Sequence, residues 1–166
     1  MSTRRASATF LLDYLAFAAM TVAGISLVIM SLVQAWQVFA RYVLNNSPGW
    51  TEPVALLLMS LAVMCGAAVG VRRETHFAFT GFVTAAPPMG QRILKGFSRL
   101  IAVLAGLGLM LLGGRLMLDD WAINLAGAPL PSGLRFLALA LGGALILIFA
   151  LERLITGDFV STPVED

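Results

Sequence analysis

The sequence predicts an all-α integral membrane protein: four transmembrane helices, short interfacial amphipathic helices in a cytoplasmic loop, and both termini cytoplasmic. Two observations carry this. Apolar residues make up 59% of the 166-residue chain and charged residues only 12%, about half the share usual in soluble domains. The apolar residues also fall in blocks, roughly Tyr14–Phe39, Trp50–Val71, Leu100–Leu118 and Leu134–Leu151, with no charge in the middle third of any. A helix rises about 1.5 Å per residue, so about 20 apolar residues cross a bilayer core. Four spans use up almost the whole chain, so residues 1–166 read as one membrane domain. A net charge of +2 gives no reason to expect nucleic-acid binding.

The first block follows Arg4 and Arg5 and has the outline of a signal peptide. At about 26 residues it is too long for an h-region of about 7–15, so it is read as a retained helix behind a short polar lead, residues 1–13. At about 39 Å it should tilt or protrude. Gln34 is expected to hydrogen-bond a neighbouring helix and Gln37 to reach the interface. Sidedness follows from the cations: with the N-terminus inside, eight of the 11 Lys and Arg are cytoplasmic, and only Arg41, Arg115 and Arg135 are outside. Trp36, Trp50 and Trp121 then fall near the outer headgroups, where indole rings anchor well.

The first outer connection, Arg41–Trp50, contains the turn residues Asn46, Pro48 and Gly49. Thr51 reads as the N-cap of the second span; Glu52 suits the positive end of its dipole, and Pro53 fits an early turn. Arg41 and Glu52 flank the loop and are placed to pair across it. Gly66-x-x-x-Gly70 is a small-residue face for a neighbouring helix, as are Gly106 in the third span and Gly142 in the fourth. Cys65, the single cysteine, excludes an internal disulfide and reads as a small packed residue.

The inner connection opens with Arg72-Arg73-Glu74-Thr75-His76. Phe79, Phe82, Val83 and Ala86 then form an apolar helical stripe that ends at Pro87-Pro88. Arg92, Lys95 and Arg99 share one face of a second short helix, opposite Ile93, Leu94 and Phe97. This interfacial segment, about 77–97, is expected to lie in the headgroups, its cations on lipid phosphates and Trp121 anchoring the other side. At the end of the third span, Arg115 and Asp119 are spaced to pair on one helix face.

Catalytic machinery is missing. No Gly-rich loop with Lys-Ser/Thr is present, His76 is the only histidine, and Asp119 and Asp120 point about 100° apart. No catalytic, cofactor-binding or metal-binding residue is assigned, and the chain reads as a non-enzymatic helical partner. An autonomous small oligomeric transporter or channel is the alternative; it would need an ionisable residue at mid-span, and Glu52, Arg115 and Arg135 lie near ends. A thiol oxidase would need more than one cysteine.

One resemblance is specific. Arg41-Tyr42, then Asn45-Asn46-Ser47-Pro48-Gly49-Trp50-Thr51-Glu52-Pro53, Gly66-Ala67-Ala68 and Arg72-Arg73-Glu74-Thr75-His76 together resemble the small permease subunit of tripartite ATP-independent periplasmic (TRAP) transporters. Ala128-Pro129-Leu130-Pro131 and Leu139–Gly143 are similar to the start of that family's fourth span. Two departures stand out: Pro53 occupies a position usually acidic or polar, and Phe77-Ala78-Phe79-Thr80 lacks the acid that often closes this stretch. The resemblance implies a bacterial inner-membrane scaffold beside a large permease subunit, which would hold the substrate and sodium sites. A periplasmic binding protein would deliver an organic acid. It marks Arg41, Trp50, Glu52, Arg72, Arg73 and His76 as structural or docking residues.

Overall fold

Apolar blocks of this length become helices because a chain in lipid must satisfy its own backbone hydrogen bonds. The computed structural model describes residues 2–73 and 88–156. Four helices form there: α1 (Ser2–Tyr42), α2 (Thr51–Arg72), α3 (Pro88–Asp119) and α4 (Leu137–Thr156), the last introduced by a 3-10 turn at Ser132–Phe136. All four are long and apolar enough to cross a membrane. His76 and the stripe Phe79–Ala86 lie outside the described residues.

Three helices exceed their expected bounds: α1, α3 and, by five residues past Leu151, α4. The polar lead is helical, so α1 has 41 residues and is about 60 Å long. No Gly or Pro occurs before Gly24, and adding residues to an existing helix avoids the cost of nucleation. The second interfacial helix is likewise not separate: Arg92, Lys95 and Arg99 sit in the opening turns of α3, which runs unbroken for 32 residues from Pro88, a residue suited to a first turn. α1 and α3 both outreach a core of about 30 Å.

The principal pairings are α1 with α2, α2 with α4, and α4 with α3. The order across the bundle is therefore α1–α2–α4–α3, with α2 and α4 central. Lipid supplies no hydrophobic force between helices, so contact depends on close fit and small residues. Ala19 and Ala23 of α1 meet Cys65 and Val69 of α2. At the α3–α4 crossing, a Cβ on Gly106 would stand 2.7 Å from the backbone nitrogen of Leu147, and one on Gly113 would stand 2.9 Å from that of Ala140. Gly142 of α4 is closed off in the same way by Met64 of α2.

Gly66 and Gly70 are not used as one face: Gly70 is buried, whereas space is open beside Gly66. The burial of the two amides is the opposite of that expected. Gln34 is exposed and Gln37 half-buried, because α2 lies along the α1 face that carries Ala19, Ala23, Ser26 and Ala40.

Gly106→Leu is expected to lower stability by about 1–3 kcal/mol, because backbone atoms cannot retreat as side chains do. Gly24→Leu, facing open space, should stay within about 0.5 kcal/mol. Thermal unfolding of both variants in detergent checks this.

Candidate functional site

Four charged residues come together where α1, α2 and α4 meet. Arg72 is the last residue of α2. Its Nε donates to Glu152 Oε2 at 2.8 Å and its Nη2 to Glu152 Oε1 at 3.0 Å, a two-point fork onto α4. The same Nη2 reaches Asp13 Oδ1 on α1 at 2.7 Å. Arg153 Nε donates to the backbone carbonyl of Arg72, which would otherwise lack a partner at the helix end. The Arg72 guanidinium lies 5.5 Å from the centre of the Phe149 ring, which is fully buried beneath it.

The two carboxylates are not equivalent. The Glu152 side chain is 5% exposed and that of Asp13 67%. Glu152 therefore meets Arg72 away from water, whereas Asp13 is also hydrated. Arginine suits the place because its planar fork meets a carboxylate at two points and its face stacks on a ring.

The opposite end of the bundle is closed by backbone. α1 terminates through Asn45, whose φ of 53° is left-handed, and Asn46 N–H donates to the Ala40 carbonyl. The loop then meets the α3–α4 connection at Gly49 and Gly127. Gly127 has a φ of +87°, and a Cβ there would lie 2.5 Å from the Gly49 carbonyl oxygen. The second loop folds back on itself: Leu125 N–H donates to Leu130 O at 2.8 Å and Ser132 N–H to Ile123 O at 2.6 Å. Asp120 accepts from Arg135 at 2.7 Å.

The sequence matches a known family. The family model for tripartite ATP-independent periplasmic transporters, DctQ component, matches residues 30–159. The chain belongs to this family. It is 28% identical over 123 residues to the sialic acid TRAP transporter small permease protein SiaQ of Vibrio cholerae, covering 74% of this chain and 70% of the relative. It is also 28% identical over 134 residues to a putative TRAP transporter small permease protein of Haemophilus influenzae, covering 80% of this chain and 83% of that one. This DctQ component is thus a multi-pass inner-membrane protein and a small permease subunit, a transport component of a tripartite system.

The residues singled out in the sequence fall in different places on the DctQ component. Arg41, Trp50 and Glu52 are exposed at the loop end, and no ion pair joins Arg41 to Glu52 among the described residues. Thr51 is not the cap: Trp50 takes that position without a side-chain bond. Thr51 is buried within the first turn, and its hydroxyl donates back to the Pro48 carbonyl at 2.8 Å. Arg72 is the centre of the charged cluster rather than a loop residue, while Arg73 beside it is exposed. Lys95 and Arg99 are half-buried and each engages a neighbour; Trp121 is exposed. The acid at the end of α3 that pairs is Asp120, with Arg135, and among the described residues Arg115 and Asp119 form no ion pair.

Sequence reading missed Asp13, Glu152 and Arg153. The available signal was their position: each lies just outside an apolar block, on the side expected for Arg72, and the signs alternate.

Arg72→Met should destabilise the DctQ component by about 3–5 kcal/mol, because it removes the two-point fork onto buried Glu152 and the contact to Asp13. Asp13→Asn, at the wet partner, should cost about 0–1 kcal/mol. The double change Arg72→Met with Glu152→Leu should recover most of the loss. Unfolding in graded mixtures of mild and harsh detergent measures all three.

Proposed function

We propose that this DctQ component is the stationary, non-catalytic body of a sodium-coupled, binding-protein-dependent importer of organic acids. It packs beside the large permease subunit and offers the periplasmic binding protein a foothold. The observation that carries this reading is where charge is found. Among the described residues every Asp, Glu, Lys and Arg lies outside an apolar block or near its end, and the buried charges are gathered in the Arg72 cluster. An ion or substrate pathway needs polar groups at depth, so the cargo and sodium sites belong to the partner, and this chain needs no cofactor of its own.

Anchoring supports the same division of labour. α1 and α3 exceed the membrane thickness, and their ends carry headgroup-level residues that resist vertical movement. The loop end presents Arg41, Tyr42, Val43, Trp50 and Trp121 as an exposed surface of aromatic and cationic character, the composition of protein-contact patches. Both termini are cytoplasmic in this reading, which puts the loops in the periplasm where the binding protein travels.

Orientation is checked with a chain carrying Cys65→Ser and Asn45→Cys in intact cells: a membrane-impermeant maleimide added outside the inner membrane should label it. Protection of the introduced thiol until the membrane is opened would reverse the topology. For docking, Trp50→Ala and Arg41→Glu should each raise the binding-protein concentration for half-maximal uptake by about fivefold to thirtyfold, the effect of losing about 1–2 kcal/mol at a contact patch. The assay is proteoliposome uptake with all three components present. Uptake by this chain alone would replace the scaffold reading with that of an autonomous transporter.

A further inference from the structure

The two loops at this end of the bundle, residues 43–50 and 120–136, meet through backbone alone. A Cβ on Gly127 would stand 2.5 Å from the Gly49 carbonyl oxygen, and one on Gly49 would stand 3.2 Å from the Gly127 Cα. Neither glycine has a side chain to cushion the contact. We propose, resting on the scaffold reading that sets these loops in the periplasm, that the contact joins them into one preformed platform and that the binding protein docks across both. Gly49 and Gly127 are then positioning residues, and the foothold extends from Trp50 to the tip of the second loop at Pro129.

Each loop is tied to its own helices before the two touch. In the second, the Asp120 carbonyl accepts from the N–H groups of Ile123 and Gly133, both at 3.2 Å, while the Asp120 carboxylate holds Arg135. Nearer the tip, Ala128 N–H donates to Leu125 O at 3.2 Å, closing a turn whose third residue is Gly127. Its φ of +87° is the angle that such a turn reserves for glycine. In the first loop, Asn46 N–H on the Ala40 carbonyl holds the chain to α1, and the Thr51 hydroxyl on the Pro48 carbonyl holds it to α2. Gly49 stands between Pro48 and Trp50, the cap of α2. The glycine contact therefore sets the start of α2 against a loop fixed to the ends of α3 and α4.

Chain connectivity places exposed side chains on both sides of that contact. Trp50 adjoins Gly49, and Pro129 lies two residues from Gly127; both are exposed. Tryptophan is among the residues that most often anchor a protein interface. Extent argues for both loops. A specific interface takes about 20–30 residues from each partner. The first loop has eight residues, a small target by itself, and the second adds 17. Rigidity argues the same way. A mobile loop must be ordered when a partner binds, and that ordering opposes binding; loops already fixed to each other avoid it.

The test reads loop geometry and docking separately, on the full-length chain with its partner subunits in proteoliposomes. Spin labels at Asn46→Cys and Asn124→Cys, both exposed, in a Cys65→Ser chain report the distance between the loops by electron paramagnetic resonance. Uptake reports the binding-protein concentration for half-maximal rate. The labelled chain should give one narrow distance. Gly49→Val, at a backbone angle open to any residue, should shift or broaden it and raise the half-maximal concentration about tenfold, with the maximal rate retained. Pro129→Glu should raise the concentration by a similar factor and leave the distance alone. If Gly49→Val does not assemble, Gly127→Ala carries the same test. A broad distance without either substitution would overturn the platform. So would uptake indifferent to Gly49→Val and Pro129→Glu while Trp50→Ala weakens docking, which leaves the first loop as the foothold. Indifference to all three, Trp50→Ala included, would remove the foothold reading and the platform with it.

Discussion

One arginine fixes the arrangement of three helices. Arg72 ends α2 in a setting too dry for a lone charge, and its stability depends on two carboxylates brought by two other helices, Asp13 from α1 and Glu152 from α4. Each contact requires its helix at a particular rotation and depth. A fork onto Glu152 tolerates little sliding of α2 against α4, since a shift of one residue moves a side chain by about 1.5 Å along the axis and about 100° around it. Small-residue packing is permissive by comparison, because many registers of two alanine-lined helices fit almost equally well. The cluster therefore supplies register, and the small residues supply closeness.

The helices outside that cluster are held by a different means. α3 docks on α4 through Gly106, Gly113 and Gly143, where backbones approach until no Cβ could stand between them. This crossing needs no charge, and it runs along the hydrocarbon interior where a charge would be costly. The bundle is thus polar-locked at one end, backbone-packed through the middle, and closed at the loop end by the Gly49–Gly127 contact and the Arg135–Asp120 pair. Each device suits the dielectric at its depth.

The spans were legible in the sequence because hydropathy is a local property: four apolar blocks cannot be hidden. Their ends were less so. The first turns of α1 and α3 are polar enough to read as lead or as separate interfacial pieces, yet nothing in them breaks a helix, and polarity alone does not stop one. The charged cluster was not legible, because it joins residues 80 positions apart and depends on how α2 and α4 are rotated. Thr51 shows the same limit at short range: a Thr before Glu-Pro has the right chemistry for a cap, but its hydroxyl turned back to Pro48 once the loop was folded against its neighbour. Pairing of the acids at the end of α3 followed the loop as well. Asp120 met Arg135 through a chain reversal that helical spacing could not anticipate.

The order α1–α2–α4–α3 also bears on the proposed scaffold role. In a closed four-helix bundle each helix touches two neighbours, and the interior is sealed from outside partners. Here α1 has one principal neighbour, and most of its large apolar side chains remain exposed along its length, from Phe10 to Phe39. Such a row presents much more lateral surface for its mass than a bundle does, which suits a body whose work is to lie against a larger one. An open row is also less rigid than a bundle, because the flanking helices α1 and α3 are joined mainly through the central pair, around Phe149. That weakness accounts for the Arg72 cluster: a plate of helices in lipid needs at least one fastening that cannot slide, and the least costly place to put a charge is at the end of a span, where one carboxylate can stay wet while the other is buried.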